Sequence, residues 1–597
     1  MIVRLQLLLL CVLLIAHSIS SRHVRRRRTR RDLVDEGGLY GKETKVYLLN
    51  STNFDSVYGT KNAWLVEFYA NWCGHCQRFA PVYIALAEDV VGWKDVVKIA
   101  ALDCAASINS AFCRDHDISH YPTLKFYHDH SPKGYKGLEL TKRKTVEEIR
   151  HTVVSLLIKE QQDGRGTSWP DLTPEKDESY QDIWEDVDDN IKYQVIISED
   201  ETSLLGAELI LDLHKAKDVL FKRVIEEGAK NGSQGVVVFD KKGHEISLSP
   251  QGNTREDFLK TIKTYFASKG IHLPTGDEVE SHVEIIKSAK GTERSHRKAD
   301  IVYQVDLENA LRYSLKREIA VQKSIKGESL AALLKYIEVL AKNFPIGKNG
   351  VRFLEHLRAW ISEQSSITGK AFLEKVEELE REMRPVFGSK EEWLGCKGSS
   401  SKYRGYPCGL WTLFHTLTTN AVLDYEPLKT FNSLEVLDAM VGYVKHFFGC
   451  EECSQHFQQM AEESLHGNVT TGDDSILWLW RAHNNVNKRL AGDVTEDPKH
   501  PKIQFPSQES CPTCRDGSGK WVENEALVFL KQMYGKNYIN FSHWNLTFGE
   551  ELESLPPPES RAPDNRSSGS SLWSSLCLPL LLTAVAAVIV LVVIMTV

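Results

Sequence analysis

The sequence predicts a multidomain protein of mixed class, with two α/β domains, a helical spacer, a helical bundle and a C-terminal apolar segment. Three observations lead to this fold class. A chain of 597 residues is long enough for about three to five domains of ordinary size. Its 42% hydrophobic and 26% charged residues are typical of globular proteins. Apolar residues form strand-like runs as far as residue 239 and repeat at helical spacing beyond residue 330.

The charge balance argues against one class of partner. The chain has 73 Lys and Arg residues against 81 Asp and Glu residues, which gives a formal net charge of -8. A protein with this balance has no overall field that attracts polyanions. We therefore expect no nucleic-acid partner.

The N-terminal residues predict entry into the secretory pathway. Arg4 precedes an apolar run over residues 7–16, and the small residues Ser18 and Ser20, one residue apart, offer a cleavage point, which together predict a signal peptide at residues 1–21. Residues 22–44 form a basic tail with six arginines in seven residues. This tail is either a solvated segment or a site for processing proteases.

The C-terminal residues predict a membrane anchor. Residues 576–597 are almost wholly apolar and long enough to cross a bilayer as a helix, after a polar linker at 551–575. No Lys or Arg follows, so a GPI-attachment signal is an equal alternative to a transmembrane helix. We expect a glycoprotein of the Golgi or ER lumen, the cell surface or the extracellular space, with proteolytic release as an alternative. Its sequons are at Asn50, Asn231, Asn468, Asn540, Asn545 and Asn565.

The domain boundaries follow from changes in composition and periodicity. Acidic residues, Pro and Gly mark a linker at 163–189, and the spacer 286–389 contains helical apolar faces that indicate packing. The second α/β unit has no cysteine. The predicted domains are 45–162 (redox-active α/β), 190–285 (cysteine-free α/β) and 390–550 (helical).

The cysteines favour redox chemistry. Twelve are present, and ten remain once Cys11 and Cys577 of the terminal segments are set aside. These ten form five close pairs, three of which have the C-x-x-C spacing used by structural disulfides, redox couples and zinc sites. Zinc commonly needs two such pairs near each other, and these lie far apart, so we predict no metal site.

The first C-x-x-C motif follows an apolar run over residues 63–70 and precedes residues with helical spacing, which predicts a strand, a turn and a helix. Cys73 at the helix N-terminus gains thiolate character from the helix dipole, with His75 adding to it when protonated. Cys76 can then resolve a mixed disulfide. Glu67, on the buried strand, is a candidate to move protons for Cys76.

The pair Cys104/Cys113 follows the next predicted strand. A bridge closing this short loop stabilises the fold by about 2.7 kcal/mol on the chain-entropy model. We predict that it is structural.

The second C-x-x-C motif, Cys450/Cys453, follows an amphipathic helix and not a strand, so it does not repeat the first site. Trp411 and His415 stand one turn apart on one predicted helix, and His483 and Asn487 on another. Such a His is usually a core residue, but rings and amides beside a dithiol also suit a planar redox cofactor.

The motifs carry a resemblance to known families. VEFYA followed by WCGHC resembles the protein disulfide isomerase branch of the thioredoxins, and Pro122 after Tyr121 matches the family's substrate-positioning cis-proline, although a trans turn proline is the alternative. RGYPCGLW, CEEC and HNNVN resemble the Erv-type helical FAD module. Joined in one chain, they resemble the quiescin sulfhydryl oxidase family. The α/β outline and size of the cysteine-free unit at 190–285 separately predict a second thioredoxin-like domain without redox capacity.

The resemblance implies the cofactor, its ligands and the disulfides. FAD would be held by Arg404, Trp411, His415, Glu452, His456, His483, Asn484, Asn487 and Lys502. Cys453 would be the flavin-proximal sulfur and Cys450 its exchange partner, with structural bridges Cys396–Cys408 and Cys511–Cys514. Phe505 stands where many members have Trp, which keeps a ring near the flavin but loses an N–H donor.

The predicted function is a flavin-dependent thiol oxidase that forms disulfide bonds in proteins. A reduced secretory protein would reduce Cys73–Cys76, that pair would reduce Cys450–Cys453, and electrons would pass to FAD and then to molecular oxygen, giving hydrogen peroxide. An isomerase without oxidase turnover, needing only the first domain, is one alternative. A membrane-bound adhesion or matrix-interaction protein with structural cysteines only is the other.

Overall fold

The N-terminal sheet has five strands in a computed structural model that describes residues 38–141, 144–175, 184, 187–225, 235–274, 301–388, 391–426 and 431–542. The strand order is β1-β3-β2-β4-β5, with β1, β3 and β2 parallel and the last two antiparallel to their neighbours. The strands are β1 Tyr47–Leu49, β2 Ala63–Tyr69, β3 Val97–Asp103, β4 Thr123–Tyr127 and β5 Leu138–Glu139. Helices α1 Gly74–Asp89, α2 Ser110–Asp115 and α3 Val146–Gln162 connect or follow them.

The central strand β2 positions the first C-x-x-C motif. All seven of its residues are buried, because helices and neighbouring strands cover both faces of the sheet. The chain leaves β2 and begins α1 with Cys73 at the N-cap. The inner face of α1 buries Phe79, Tyr83 and Leu86 against the sheet.

The second sheet has the order β7-β6-β8-β9. Its β6 is parallel to β7 and antiparallel to β8, so strand order and directions match those of β3-β2-β4-β5 in the first sheet. The elements are β6 Tyr193–Glu199, α4 Leu205–Leu213, β7 Val219–Ile225, β8 Gly235–Asp240, β9 Glu245–Leu248 and α5 Arg255–Ser268.

A buried ionic network joins the two α/β units. The Arg255 guanidinium contacts Asp89 of the first unit at 2.9 Å and Asp212 of the second at 2.5 Å. Arg150 extends the network to Glu208 at 2.7 Å and to Asp89 at 3.0 Å. Buried charges are tolerated only when paired in this way, so the network fixes one unit against the other.

The remaining elements form a helical body. Short strands β10 Ile325–Lys326 and β11 Ser366–Ile367 pair within it. The helices are α6 Gln304–Tyr313 (continued by a π-helical turn, Ser314–Ile319), α7 Glu328–Asn343, α8 Lys348–Ser362, α9 Gly369–Glu382, α10 Gly405–Tyr425, α11 Glu435–Phe447, α12 Glu451–Asn468, α13 Gly472–Leu490 and α14 Glu523–Tyr534.

Local capping explains several helix starts. The threonines before α3, α5, α9 and α13 each accept a backbone N–H of the first turn through their hydroxyl groups, and those before α5 and α13 form complete capping boxes. These residues are Thr145, Thr254, Thr368 and Thr471.

The predicted spacer packs directly on the helices that follow it. The Asp306 carboxylate accepts the backbone N–H groups of Leu394 at 2.7 Å and Cys396 at 2.9 Å. The rings of Tyr336 and Tyr443 lie 4.5 Å apart. The α6–α9 segment is therefore part of the core that supports the second C-x-x-C motif.

No helix within the described residues has both the length and the apolar run needed to cross a bilayer. The predicted signal peptide at 1–21 and the predicted anchor at 576–597 lie outside those residues.

Candidate redox site

The first dithiol lies at the N-terminus of α1. Cys73 is the N-cap residue, and both Cys73 and Cys76 are buried free thiols. Burial raises the pKa of Cys76 well above its usual value, and neighbouring Cys73 and Glu67 add to this effect. Cys76 therefore loses its proton only with the help of a base or when Cys73 changes state.

Glu67 lies beneath this dithiol on β2. Its carboxyl group is fully buried and accepts a hydrogen bond from the Tyr40 hydroxyl. Burial raises the pKa of Glu67 from about 4.5 to about 8, in spite of the Tyr40 hydrogen bond, which lowers it. A carboxyl that titrates in this range can take up and release a proton near neutral pH.

The second C-x-x-C motif repeats the same local arrangement on a different scaffold. Phe448 and Cys450 have extended backbone angles, and α12 begins directly after Cys450, which is its N-cap. Cys450 and Cys453 form a disulfide. Cys450 is completely buried, whereas Cys453 is half-buried.

The fold brings the two motifs into contact although 377 residues separate them. Cys73 Sγ lies 2.6 Å from Cys450 Sγ. Both cysteines are N-cap residues, so each sulfur lies at the start of a helix. A free thiol thus faces one sulfur of a disulfide, which is the arrangement that thiol–disulfide exchange requires.

A backbone clamp holds this contact. The Tyr121–Pro122 bond is cis, and the Tyr121 N–H donates to the Gly449 carbonyl at 2.7 Å. The Glu451 N–H donates weakly to the Tyr121 carbonyl at 3.4 Å. Tyr121 and Cys450 are therefore paired in a single parallel β-bridge beside Pro122.

Aromatic rings seal the contact from water. The Trp72 indole N–H donates to the Tyr313 hydroxyl at 2.7 Å. The Trp72 ring also lies 5.3 Å from that of Tyr406 and 5.5 Å from that of Phe448. Because Trp72 belongs to the WCGHC motif and the other three rings to the helical body, this cluster is an interface between the units.

Charged groups border the same interface. Arg78 of α1 contacts the Glu452 carboxylate at 2.7 Å and that of Asp493 at 3.5 Å. Glu452, predicted as a flavin contact, thus engages the first unit. The backbone carbonyl of Glu452 also lies 2.8 Å from Nδ1 of His456, the next predicted contact.

The rings predicted to hold the cofactor form a stack. Trp411 and His483 are 4.2 Å apart and nearly parallel, and His415 lies 5.4 Å from His483 and 4.6 Å from Tyr534. Burial lowers the pKa of His415 to about 3, and that of His483 also lies well below its usual value. Both imidazoles are therefore neutral at physiological pH.

The two asparagines predicted to contact the cofactor form hydrogen bonds with the backbone of residues 503 and 505. Asn484 accepts the Phe505 N–H at 2.7 Å and donates to the Phe505 carbonyl at 2.8 Å, and Asn487 donates to the Ile503 carbonyl at 3.1 Å. These bonds fix the segment that carries Lys502 and Phe505 against α13.

Two cations lie in the same region. Burial and the positive charge of Arg404 lower the pKa of Lys502. Arg404 adopts a left-handed backbone conformation, φ 61°, directly before α10, and donates to the Gly395 carbonyl at 2.7 Å. A half-buried cation beside a second one favours an anionic ligand. Stacked rings next to paired cations fit a planar ring joined to a diphosphate, so these residues fit FAD.

The remaining cysteines of the described residues are paired in disulfides. The structure has Cys104–Cys113 in the first α/β unit, and Cys396–Cys408 and Cys511–Cys514 in the helical body.

Several residues of the site have no sequence signal. In the folded protein, three residues contact a redox motif that lies far from them along the chain: Arg78, Tyr313 and Glu318. Tyr534, on the last helix, lies against the ring of His415. Tyr121 is the exception, since its place before the predicted cis-proline marks it as a backbone partner.

Comparison with known families matches three parts of the chain. Residues 45–151 match the thioredoxin family, residues 298–399 the flavin adenine dinucleotide (FAD)-dependent sulfhydryl oxidase family, and residues 408–506 the Erv1 / Alr family. The middle match covers the predicted spacer, in agreement with its packing on the helices after it.

Individual proteins are similar along most of the chain. Sulfhydryl oxidase 2 of Homo sapiens is 34% identical over 553 residues, covering 87% of this chain and 77% of the relative. Sulfhydryl oxidase 1 of Gallus gallus is 34% identical over 525 residues, covering 85% and 69%. The solved sulfhydryl oxidase fragment of human QSOX1 is 37% identical, covers 41% of this chain and all of that fragment, and has a TM-score of 0.38.

Fold and site together define a flavoprotein in which a thioredoxin domain is fused to a helical FAD module. The chain belongs to the quiescin sulfhydryl oxidase family. It is an FAD-dependent thiol oxidase, which converts two thiols and oxygen into a disulfide and hydrogen peroxide. The predicted family, activity and cofactor are confirmed.

Proposed function

We propose that the oxidase works as a relay in which Cys73–Cys76 receives electrons from a protein dithiol and passes them to Cys450–Cys453. The observation that supports this order is the 2.6 Å contact between Cys73 Sγ and Cys450 Sγ. Reduced secretory proteins are the proposed substrates, since the thioredoxin domain is the unit with a peptide-binding proline loop.

Each exchange conserves electrons and bonds. The Cys73 thiolate attacks Cys450 Sγ, the Cys450–Cys453 bond breaks, and Cys453 leaves as a thiolate while Cys73–Cys450 forms. Cys76 then attacks Cys73, which restores the Cys73–Cys76 disulfide and releases Cys450. Glu67, buried beneath the dithiol, takes the proton that Cys76 loses.

The proposed cofactor contacts follow from the stacked rings and the two neighbouring cations described above. The planar part of FAD would be held by Trp411, His415 and His483, and its diphosphate would be balanced by Arg404 and Lys502. Asn484 and Asn487 hold the backbone of the segment 502–505. When bound, the flavin would supply the two-electron chemistry that links the Cys450–Cys453 dithiol to oxygen.

A trapping experiment tests the relay. In a Cys76→Ser variant the mixed disulfide cannot be resolved, so the free Cys73 thiol is expected to attack the Cys450–Cys453 disulfide and accumulate a Cys73–Cys450 bond without added reductant, seen as a cross-linked peptide by mass spectrometry. Cys73→Ser should abolish turnover of reduced proteins and retain bound flavin. The matched control, Cys73→Ser with Cys76→Ser, forms no cross-link. Full activity of Cys73→Ser contradicts the relay.

We infer that the cysteine-free unit predicted at residues 190–285 is thioredoxin-like and supports the first unit without redox chemistry. Strand order and directions support this, because they repeat those of four strands of the first sheet. The unit has no cysteine, and the network around Arg255 fixes it in place.

We also propose that the protein acts in the secretory pathway and is anchored by residues 576–597. Sequence supports both, through the predicted signal peptide, the sequons and the terminal apolar run. Asn468, exposed at the end of α12, is a glycosylation candidate. Release of the protein from membranes by phospholipase C would identify a GPI anchor. Extraction only by detergent would identify a transmembrane helix.

A further inference from the structure

Glu318 lies at the contact between the two redox motifs, although it comes from the π-helical turn after α6. It is 1% exposed. Its Oε2 accepts the backbone N–H of Gly449 at 2.6 Å. Within the described residues Glu318 forms no ion pair, and a glutamate buried without a cation is rare and needs a reason.

Gly449 is held from two sides. Glu318 binds its N–H, and the Tyr121 N–H binds its carbonyl at 2.7 Å. Two successive peptide groups directly before Cys450 are therefore fixed, one by the helical body and one by the thioredoxin domain. The Cys450 backbone has little freedom left, so these bonds determine where its sulfur points.

The space around Gly449 agrees with this role. A Cβ atom at this position would lie 2.7 Å from the Tyr121 ring and 3.3 Å from Glu318 Oε2. The first distance is a clash with a ring that the domain interface holds in place. Only glycine lets the chain pass between Glu318 and Tyr121.

Comparison with Glu308, another buried glutamate on the same helix, shows that the partner of Glu318 is unusual. Glu308 lies near the Arg312 guanidinium at 3.9 Å and accepts the Gly388 N–H at 3.4 Å, both within the helical body. Glu318 instead binds one backbone group of the redox segment. Burial raises the pKa of Glu318 to about 8, a cost that a purely structural site would avoid with an apolar side chain.

We propose that Glu318 is a positioning residue for the exchange between the two dithiols, because it holds the Gly449 peptide so that Cys450 Sγ faces Cys73 Sγ. The inference rests on the proposed relay. Glu318 neither gains nor loses electrons and touches neither sulfur; it acts through Gly449.

The test compares two routes of flavin reduction. In Glu318→Leu, reduction by a reduced unfolded protein must use Cys73 and is expected to slow about tenfold, as loss of a buried hydrogen bond implies. Reduction by dithiothreitol is measured with Cys73→Ser and Cys76→Ser added, so that the small thiol attacks Cys450 directly. This second rate should stay within about twofold, because a freely diffusing thiol needs no fixed orientation.

Two variants serve as controls. Glu318→Gln keeps a carbonyl acceptor for the Gly449 N–H and should recover most of the first rate. Glu308→Leu removes a buried carboxylate of the same helical body. Any effect of this variant should come from lower stability, so it should change the rates of both routes equally and lower the melting temperature. If Glu318→Leu does not fold, the same two rates are measured in Gly449→Ala. This substitution disturbs the same contacts, because its Cβ would lie close to Tyr121 and Glu318, and it should slow only the protein-substrate route.

Three results would overturn the inference: unchanged turnover of reduced protein in Glu318→Leu, an equal loss in both routes, or no recovery in Glu318→Gln. Failure of the relay itself is distinguished in the Cys76→Ser background. Absence of the Cys73–Cys450 cross-link with Glu318 intact rejects the relay. If the cross-link instead forms at the same rate and yield after Glu318→Leu is added to Cys76→Ser, only the positioning role is rejected.

Discussion

At the scale of single residues, two buried carboxyl groups serve the two sides of one sulfur contact. Glu67 acts on Cys76, and Glu318 holds the peptide before Cys450. Burial raises the pKa of each to about 8. Placing ionisable groups in such sites reduces stability, so their presence beside reacting groups points to proton transfer or positioning.

Glu67 makes stability depend on pH. The unfolded carboxyl loses its proton at its ordinary pKa near 4.5, and the folded one at about 8. Between these values the folded state holds the extra proton, so stability falls as pH rises through this window. Glu67→Gln cannot ionise and should therefore melt at a higher temperature than the wild type at about pH 9, and at a similar one at about pH 5, in thermal unfolding monitored by circular dichroism.

The same substitution should slow turnover. Gln cannot take the proton of Cys76, so we expect resolution of the Cys73–Cys450 bond to slow about 10- to 100-fold. Stopped-flow absorbance of the flavin measures this rate. A Glu67→Gln protein with wild-type turnover and an unchanged pH dependence of melting would show that the carboxyl only fills space.

At the scale of elements, the start of α1 meets the start of α12. Each helix begins at a cysteine, and the Arg78 side chain bridges from the first helix to Glu452 on the second. The ion pair is about one-third exposed, so its contribution is screened and worth about 0.2 to 1 kcal/mol. Its main effect is to orient two units as they approach.

Arg78→Ala is therefore expected to slow flavin reduction by a reduced protein about two- to fivefold, and to weaken its salt dependence. Flavin reduction rates at low and high NaCl measure both effects. Arg481→Ala, which breaks an exposed pair with Glu523 elsewhere in the helical body, should change neither. An Arg78→Ala protein with wild-type salt dependence would argue against electrostatic orientation.

The α13 helix holds the segment 502–505, the proposed cofactor-contacting segment, through Asn484. Replacing Asn484 by Ala removes two hydrogen bonds to the Phe505 backbone and should release Lys502 from its place. We expect flavin content to fall several-fold, measured as the ratio of flavin absorbance to protein absorbance, given net losses of about 1 kcal/mol per hydrogen bond. Asn485→Ala, at an exposed neighbouring position, is the matched control and should keep its flavin.

At the scale of the whole molecule, the docked arrangement excludes substrate. Cys73 is 0% exposed, and Gly449 and Glu451 occupy the backbone groups of Tyr121. A protein dithiol can reach Cys73 only after the helical body moves away. Turnover therefore needs an open state for substrate and the closed state for transfer to Cys450.

The ionic network around Arg255 joins the second α/β unit to the thioredoxin domain. Arg255→Ala should leave Asp212 without its guanidinium partner, whereas Asp89 keeps Arg150 at 3.0 Å. We expect a loss of about 1.5 to 3 kcal/mol in stability, as for loss of a hydrogen bond to a charged group, seen as a lower melting temperature and faster proteolysis within 163–189. Lys260→Ala, exposed on the same helix, should have no such effect. Equal proteolysis of both variants would contradict a role for the network in joining the units.

Local features were predictable from sequence because they depend on neighbours along the chain. An apolar run followed by WCGHC and helical spacing specifies a strand, a turn and a helix whose first residue is a reactive cysteine. The rings at 411 and 415 likewise share one helix face by spacing alone. Function class and cofactor followed from these motifs and the resemblance they carry.

Only the tertiary structure decided which distant groups meet. The contact of Cys73 with Cys450, the Glu318 bond to Gly449 and the Arg78 pair with Glu452 each join residues that lie far apart along the chain. Nothing in local spacing encodes such pairs, because they arise when separately folded units bury their faces together. Sequence determined the two sulfur couples and their chemistry; the packing of one unit on the other decided how they face each other.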